Sequence, residues 1–477
     1  MSPSQPRYDR GRLTPGIVHI GLGNFHRAHM AVYLDGLFAL GEDLDWAILG
    51  AGVRPTDARM REALRAQNCL STVIELDPDG KTARRIGAMI DFIEVEPSNI
   101  PLITAMGRPE IRIVSLTITE GGYFIDPASG RFDPADPDMV GDARSPDRPA
   151  TAFGAIVAAL KHRRNAGLAP FTVLSCDNLP GNGDAAKAAT VGLARLSDPD
   201  LADWIAAHVA FPNAMVDRIA PATGARERAM AAAFGLAGDP VPVTCEPFRQ
   251  WVLEDRFPSG RPALEKVGVT FTDQVHAFET MKLRILNGGH AIIAYPGAIK
   301  GINHVHEAMA DETIAAFLDK VHAKEILPVV PPPPGLDLPD YQRLVMRRFS
   351  NPEIADTTRR LCFDGSNRQP KFVIPSIRDT LARGVIPGGL ILASAMWCRY
   401  CHGVDERGQV IAPNDPDWEE LTAMARKARH DPARWIGMHV IYGDLADDRA
   451  FAAAFAEALD LVWSQGVDIA MSHYLGS

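Results

Sequence analysis

A short segment near the middle of the chain carries three side chains that could act together in chemistry. It reads Lys282-Leu-Arg-Ile-Leu-Asn287-Gly-Gly-His290. On an α-helix, which turns about 100° per residue, Asn287 lies roughly 140° and His290 roughly 80° around the axis from Lys282. Glu279, at roughly 60°, falls within the same arc. The spacing therefore predicts that these side chains project from one side of a helix toward a common cavity.

These residue types suit the oxidation of an alcohol or the reduction of a carbonyl. Burial can lower the pKa of a lysine amine toward neutrality, which makes the amine a proton acceptor. An asparagine can donate hydrogen bonds to a developing alkoxide, and a histidine can hold a neighbouring hydroxyl. Spacing alone favours a structural helix, with a lysine that extends to solvent, glycines that end the helix and a core histidine.

The composition restricts the class of protein. At 477 residues the chain is long enough for two domains, and 46% apolar with 23% charged residues is typical of a soluble globular protein. The net charge of −10 argues against a nucleic-acid partner. No apolar run of about 18 residues predicts a membrane span, and the N-terminal segment lacks the apolar core of a signal peptide. We therefore expect a cytoplasmic protein with no membrane partner.

The cysteines and histidines do not predict a metal site. Cys398-Arg-Tyr-Cys401-His402 matches the pattern of c-type haem attachment, but the flanking Ile391-Leu-Ala-Ser-Ala-Met-Trp397 is typical of a buried helix. We interpret the two cysteines as core thiols. Because no other cysteine cluster and no His-x-x-x-His pair is present, we expect a metal-free reaction.

The first half of the chain alternates strand-like and helix-like runs. The predicted strands lie at 17–20, 47–53, 111–119 and 171–176, and the predicted helices include 28–39 and 57–67. This alternation predicts an α/β fold, with a Rossmann-like doubly wound parallel sheet. After about residue 275 the pattern becomes mainly helical, with helices predicted at 313–324, 354–361, 418–428 and 449–463. We therefore predict a dinucleotide-binding domain over 1–275, a mainly α-helical substrate-binding domain over 276–477, and an active site at their interface.

The first predicted strand leads into Gly21-Leu-Gly23-Asn24-Phe25-His26-Arg27. A strand, a Gly-x-Gly turn and a helix start form the usual cradle for a dinucleotide pyrophosphate, although His26 stands where the third glycine is expected. An ordinary tight turn is an open alternative. The second strand ends at Arg54-Pro-Thr-Asp57, which offers a base for NADP and an acid for NAD.

Two further predicted strands end in polar residues, where open α/β sheets bind ligands. One sequence is Thr119-Glu120-Gly-Gly-Tyr123 and the other is Cys176-Asp177-Asn178-Leu-Pro-Gly. Turn chemistry alone would also explain both sequences.

Together these segments resemble the polyol-specific long-chain dehydrogenase/reductase family. The resemblance covers about residues 17–375 and depends on the glycine-turn segment, Ser175-Cys-Asp177-Asn178-Leu, the Lys282–His290 segment and Phe211-Pro-Asn-Ala-Met-Val-Asp217-Arg218. Glu246-Pro-Phe-Arg-Gln-Trp and Asp364-Gly-Ser-Asn-Arg368-Gln-Pro-Lys371-Phe also resemble that family.

The resemblance implies a role for each candidate residue. Lys282 would be the general base during hydride transfer, Asn178 and Asn287 the oxyanion hole, and His290 the residue that orients the sugar chain. Glu120 would move the proton between Lys282 and solvent. The coenzyme would be NAD rather than NADP, and its binding residues are Gly21, Gly23, Asn24, Phe25, His26, Arg27 and Asp57. Asp217, Arg368 and Lys371 fall in motifs near the substrate, with structural ion pairing as an equal alternative.

The resemblance implies a monomeric oxidoreductase that interconverts a C5 or C6 polyol and its 2-ketose, such as mannitol and fructose. Arabitol with xylulose, and sorbitol with fructose, are further pairs. A hexuronate reductase acting on fructuronate or tagaturonate is the first alternative, because Arg368 or Lys371 could bind a carboxylate. A dinucleotide-binding sensor without catalytic activity is the second.

Overall fold

The structure, a computed structural model, describes residues 3–126 and 130–476. The chain divides into two compact units, one ending at His276 and the other beginning at Ala277. The strands all lie in the first unit: β1 Pro15–Ile20, β2 Ala47–Ala51, β3 Ser71–Asp77, β4 Gly80–Ile86, β5 Met89–Phe92, β6 Ile113–Leu116, β7 Thr172–Ser175, β8 Ala214–Asp217, β9 Val243–Cys245, β10 Gln250–Leu253 and β11 Thr270–Phe271.

The main sheet of the first unit is entirely parallel, in the order β5-β2-β1-β6-β7. Ile20 pairs with both Ala51 and Leu116, and Leu116 pairs with Ser175. The carboxyl ends of these strands therefore meet at one edge, and the strand order reverses between β1 and β6, the point where such sheets bind ligands. Two three-stranded sheets, β11-β10-β8 and β4-β3-β9, complete the unit.

The main sheet is buried on both faces, which explains its nearly continuous apolar strands. Ile17 and Ile48 belong to one hydrophobic cluster, whereas Val18 and Leu49 belong to another. Neighbouring residues of a strand point to opposite faces, so each face has its own core. The surrounding helices are α1 Asn24–Ala28, α2 Met30–Ala39, α3 Asp57–Ala66, α4 Ile100–Met106, α5 Pro137–Arg144, α6 Ala152–Asn165, α7 Asn182–Ser197, α8 Pro199–His208 and α9 Ala225–Ala233.

The rest of the described chain is helical. Its α-helices are α10 Val275–Met281, α11 Gly288–Lys300, α12 Val305–Ala310, α13 Glu312–Val321, α14 Leu338–Phe349, α15 Thr358–Cys362, α16 Gly365–Phe372, α17 Ile374–Ala382, α18 Gly388–Cys401, α19 Trp418–Ala428, α20 Ala433–Ile436, α21 His439–Tyr442, α22 Arg449–Gln465 and α23 Val467–Gly476. Two segments, Lys282–Asn287 and His322–Ile326, are π-helices. Short 3-10 turns lie at Arg10–Arg12, Glu120–Tyr123, Leu264–Val267, Leu327–Val329 and Gly443–Asp447.

The predicted fold class is confirmed, because a parallel sheet with helices is followed by a mainly helical part. Two helix predictions were wrong in detail. The helix predicted over 28–39 is broken at His29, whose ψ of −90° does not fit a helix. The helix predicted over 354–361 begins only at Thr358, because Ala355 has a positive φ of 51° and the Thr357 side chain caps the helix start.

The paired cysteines lie on α18, and both thiols are buried, as the sequence predicted. Burial raises the pKa of Cys398 and of Cys401 well above the usual thiol value. Within 3–126 and 130–476, no helix combines the length and the apolar character that crossing a bilayer requires.

Candidate functional site

The turn after β1 leaves its backbone open at the start of a helix. Gly21 has a φ of +98°, and a Cβ at this position would lie 2.2 Å from the carbonyl oxygen of Thr117, so only glycine fits. A Cβ at Gly23 would meet nothing within 4 Å, and α1 begins at the next residue. Exposed backbone N–H groups at a helix start are what a pyrophosphate group requires.

The side chains after this turn bind protein neighbours. The Asn24 amide donates to the Pro221 carbonyl (2.7 Å) and to Thr223 Oγ1 (3.0 Å). Arg27 donates through Nη2 to Asn24 Oδ1 (2.8 Å) and through Nε to the Gly23 carbonyl (3.3 Å). These bonds attach the turn to the segment that follows β8.

The rings of Phe25 and His26, in the same turn, each stack on a histidine. The Phe25 ring lies 4.8 Å from the His29 ring. The His26 ring is buried and lies 3.5 Å from His19 of β1, nearly parallel to it. The residue in the place of the third glycine therefore packs beneath the turn.

The acidic residue after β2 is part of a tight turn. Asp57 Oδ2 accepts a hydrogen bond from the Arg54 N–H at 2.9 Å. A Cβ at Gly52 would lie 2.3 Å from the Asp57 Cβ, so glycine allows this approach. Asp57 is half-buried at the carboxyl edge of the sheet, and the Arg54 side chain is exposed.

Asp177 joins the loops after β6 and β7, a role that sequence reasoning missed because the residue fits ordinary turn chemistry. Its carboxylate accepts from the N–H groups of Ile118 (3.0 Å) and Thr119 (2.9 Å) and from the Tyr123 hydroxyl (2.7 Å). Thr119 has a φ of +66°, and these bonds hold that conformation. Burial raises the pKa of Asp177, and the charge of Glu120 raises it further.

The Asp177 network lies directly beside Glu120 and Asn178, which are both exposed. The buried Asn182 side chain donates to the carbonyls of Asp177 (3.1 Å) and Ala214 (2.8 Å) and accepts from the Ala214 N–H (2.9 Å). The loop that carries Asn178 is thus attached to β8.

Asp217 is buried at the end of β8, opposite Gln250 of β10. Its neighbour Arg218 is fully buried and pairs with Glu75 at 2.6 Å. Arg218 also donates to the Ala28 carbonyl (2.6 Å), at the end of α1. These contacts agree with a structural role for Arg218.

In the second unit, the segment Lys282–Asn287 is a π-helix rather than the predicted α-helix. The Gly288 N–H donates to the carbonyl of Leu283, five residues earlier. Because a π turn bonds residues five apart, Asn287 lies closer to Lys282 around the axis than the roughly 140° expected for an α-helix. Glu279 and Lys282 are both buried, and Asn287 is half-buried.

Gly288 and Gly289 do not end the helix. The structural interpretation of the segment had predicted that they would. Gly288 is helical, with φ −62° and ψ −43°, and α11 continues to Lys300. A Cβ at Gly288 would lie 3.2 Å from the Phe372 carbonyl oxygen, so glycine lets the end of α16 approach. A Cβ at Gly289 would lie 3.0 Å from His322 Nε2 and 3.2 Å from Phe349 Cε2.

His290 is held neutral by its surroundings. Burial lowers its pKa well below the usual value, and the positive charges of Arg360, Arg348 and Arg368 lower it further. Its ring stacks on Phe349 with centroids 4.2 Å apart. A neutral imidazole has one donor and one acceptor nitrogen, which suits a hydroxyl group.

The arginines around His290 come from three helices. Arg368, on α16, donates to the Leu361 carbonyl at 3.0 Å, and Lys371 is exposed on the same helix. Arg360, on α15, donates hydrogen bonds through Nε and Nη2 to the two carboxylate oxygens of Asp356. Sequence reasoning missed Arg360 and Arg348, because no short spacing connects them with His290.

Across 3–126 and 130–476, no group of three or more His, Cys, Asp or Glu side chains is arranged to hold a metal ion. Of the residues predicted from the sequence, the first unit holds Gly21, Gly23, Asn24, Phe25, His26, Arg27, Asp57, Glu120, Asn178 and Asp217, and the second unit holds Lys282, Asn287, His290, Arg368 and Lys371.

Comparison with protein families identifies both parts of the chain. Residues 15–266 match the model of the mannitol dehydrogenase Rossmann domain, and residues 274–463 match that of the mannitol dehydrogenase C-terminal domain. A mannitol 2-dehydrogenase from Cereibacter sphaeroides is 66% identical over 476 residues, which cover 100% of this chain and 99% of the relative.

Two solved structures are similar over nearly the whole chain. The mannitol 2-dehydrogenase of Pseudomonas fluorescens, solved as a ternary complex with NAD and D-mannitol, is 42% identical with a TM-score of 0.88 and covers 100% of this chain and 97% of its own. A D-sorbitol dehydrogenase in substrate-free form is 34% identical with a TM-score of 0.89, and covers 98% of this chain and 97% of its own.

Proposed function

Because this chain belongs to the mannitol dehydrogenase family, we propose that it is a metal-independent oxidoreductase that interconverts a C5 or C6 polyol, such as D-mannitol, and its 2-ketose with NAD. The main support is the 66% identity with a mannitol 2-dehydrogenase over the full chain. The hexuronate reductase and the sensor without activity are not favoured by these relationships.

We assign coenzyme binding to the domain over 1–275 and substrate binding to the mainly helical domain over 276–477. The residues of the first domain fit NAD, because the backbone at Gly23 is open and the carboxylate of Asp57 follows β2, where an acid binds ribose hydroxyls. Phe25, His26 and Arg27 shape the same turn. NAD supplies the hydride acceptor for the oxidation of the alcohol.

The chain's own residues move the proton and stabilise charge. Lys282, uncharged, accepts the proton of the substrate hydroxyl at the carbon that loses hydride. The carboxamides of Asn287 and Asn178 donate hydrogen bonds to the oxygen as negative charge develops on it. The neutral His290 orients the neighbouring hydroxyl, and Glu120 passes the proton between Lys282 and solvent.

We place Asp217, Arg368 and Lys371 along the substrate, with Arg368 acting beside His290.

We further propose that the protein is a cytoplasmic monomer. Measurement of the molar mass by light scattering tests the monomer directly, and a mass twice that of the 51.7 kDa chain would contradict it.

Replacement of Lys282 by Ala tests the proposal most directly. We expect oxidation of D-mannitol, D-arabitol and D-sorbitol with NAD by the wild type, and loss of turnover in Lys282→Ala with NADH binding retained. Because only an uncharged amine accepts a proton, wild-type oxidation should become faster as pH rises, and ketose reduction should prefer lower pH.

Lys324→Ala, which removes an exposed lysine from the same unit, serves as the control and should keep full activity. Exhaustive treatment with a chelator should leave the wild-type rate unchanged. Near-normal turnover in Lys282→Ala across the pH range, or inactivation by the chelator, would contradict the proposed mechanism.

A further inference from the structure

We propose that His19 is a positioning residue for the coenzyme turn, because its imidazole links Ser115 and Thr117 in a row of hydrogen bonds that ends on the Gly21 carbonyl. This inference rests on the proposed binding of NAD at that turn. His19 lies on β1 and is completely buried, so it is not exposed to solvent.

Each pair of neighbours in the row is within hydrogen-bond distance. His19 Nδ1 lies 2.8 Å from Ser115 Oγ, and His19 Nε2 lies 2.9 Å from Thr117 Oγ1. The Thr117 hydroxyl in turn donates to the carbonyl oxygen of Gly21 at 2.5 Å. Ser115 and Thr117 lie on and just after β6, so the row crosses the switch point of the sheet.

The last bond fixes the direction of all the others. The Thr117 hydroxyl has one hydrogen, which it gives to Gly21, so it must accept from a protonated His19 Nε2. His19 Nδ1 of the neutral ring then accepts from the Ser115 hydroxyl. The neutral ring therefore has a single suitable tautomer, with its proton on Nε2, which also lies 3.3 Å from the Gly21 carbonyl oxygen.

The packing keeps His19 in this state. The His26 ring lies nearly parallel to it at 3.5 Å, and neither nitrogen of His26 has a hydrogen-bond partner among residues 3–126 and 130–476. His26 thus supports the row by stacking. The Gly21 carbonyl belongs to the residue with a φ of +98°, so its position determines where the open backbone at Gly23 lies.

Substitutions at Thr117 separate positioning from general stability. Thr117→Val removes the hydroxyl and keeps the shape, whereas Thr117→Ser keeps the hydroxyl. We expect Thr117→Val to raise the NADH dissociation constant and the KM for NAD by up to about tenfold, the limit reached if the full free energy of one buried hydrogen bond is lost from the complex with the coenzyme. The KM for the polyol should stay unchanged, and Thr117→Ser should restore NADH affinity.

Thr190→Val is the matched control, because the buried Thr190 hydroxyl also donates to a backbone carbonyl, that of Ala186 at 2.7 Å, but on α7. It should leave NADH affinity unchanged. His19→Phe preserves a ring against His26 and breaks both bonds, so it should weaken NADH binding as Thr117→Val does. The two effects should not add in the double variant if one row is involved.

Fluorescence titration with NADH measures all these constants without a polyol. Equal NADH affinity in Thr117→Val and Thr190→Val, with normal binding by the wild type, would overturn this inference and leave the proposed function intact. Absence of NADH binding by the wild type would overturn both.

Discussion

At the scale of single residues, the two asparagines proposed as the oxyanion hole are held by different means. Asn287 lies on the π-helix of the second unit, whereas Asn178 follows Asp177 in a loop of the first unit. Asp177 and Asn182 fix that loop through hydrogen bonds to backbone groups. The segments that carry the two carboxamides are therefore held by separate sets of contacts.

We expect Asn178→Ala and Asn287→Ala each to lower kcat on the order of 100-fold, because each removes one donor to the developing alkoxide. NADH affinity should change little in either variant. Steady-state kinetics and NADH titration measure the two effects. Asn367→Ala, an exposed position on α16, is the control. If only one of the two asparagines affects kcat, the other is not part of the oxyanion hole.

The candidate residues are named from the sequence alone, but their surroundings could not be predicted from it. The resemblance depends on residue types at fixed spacings, and Lys282, Asn287 and His290 lie within nine residues of one another. Burial lowers the pKa of His290 most, and the arginines that lower it further are 58 to 78 residues along the chain, at Arg348, Arg360 and Arg368. Only the packing of helices brings them to the imidazole.

At the scale of elements, the π-helix at Lys282–Asn287 shows what a periodic pattern leaves open. Apolar spacing indicates a helix, but it does not distinguish a π turn from an α turn over six residues. The same limit explains why Gly288 and Gly289 suggested a helix end. In the structure they allow close approach by Phe372, His322 and Phe349.

Gly289→Ala tests the importance of this close approach. Alanine favours a helix by about 1 kcal/mol over glycine, but the added methyl group would press on His322 and Phe349, and such overpacking costs about 1–3 kcal/mol. We expect no gain or a net loss in the free energy of unfolding. The KM for the polyol should rise, because Phe349 stacks on His290. Denaturant unfolding and steady-state kinetics measure these effects.

Gly141→Ala is the matched control on α5. A Cβ there would meet nothing within 4 Å, so only the helix preference should act. The variant should therefore be more stable than the wild type by up to about 1 kcal/mol, with unchanged kinetics. An equal gain in stability in both variants would show that the space beside Gly289 is not restricted.

At the scale of the whole molecule, both units contain buried histidines whose pKa is lowered. Burial lowers the pKa of His19 to about 3 and that of His322 to about 4, and it lowers those of His26 and His290 well below the usual value. In the unfolded chain these rings take up protons below about pH 6.5, whereas in the folded protein they remain neutral. Their contribution to stability is therefore complete above that pH and is lost as the pH falls toward the folded-state values.

His26→Phe isolates one part of this acid sensitivity. Phenylalanine preserves a ring against His19 and does not titrate, so the variant should lose less thermal stability than the wild type between about pH 7.5 and about pH 5. Buried carboxyl groups with raised pKa, such as Asp35 and Asp177, act in the opposite direction, but they are present in both proteins and cancel in the comparison. His430→Asn, at an exposed position, should follow the wild type. Melting temperatures measured across this range decide the question, since parallel curves for His26→Phe and the wild type would mean that His26 does not contribute to the acid sensitivity.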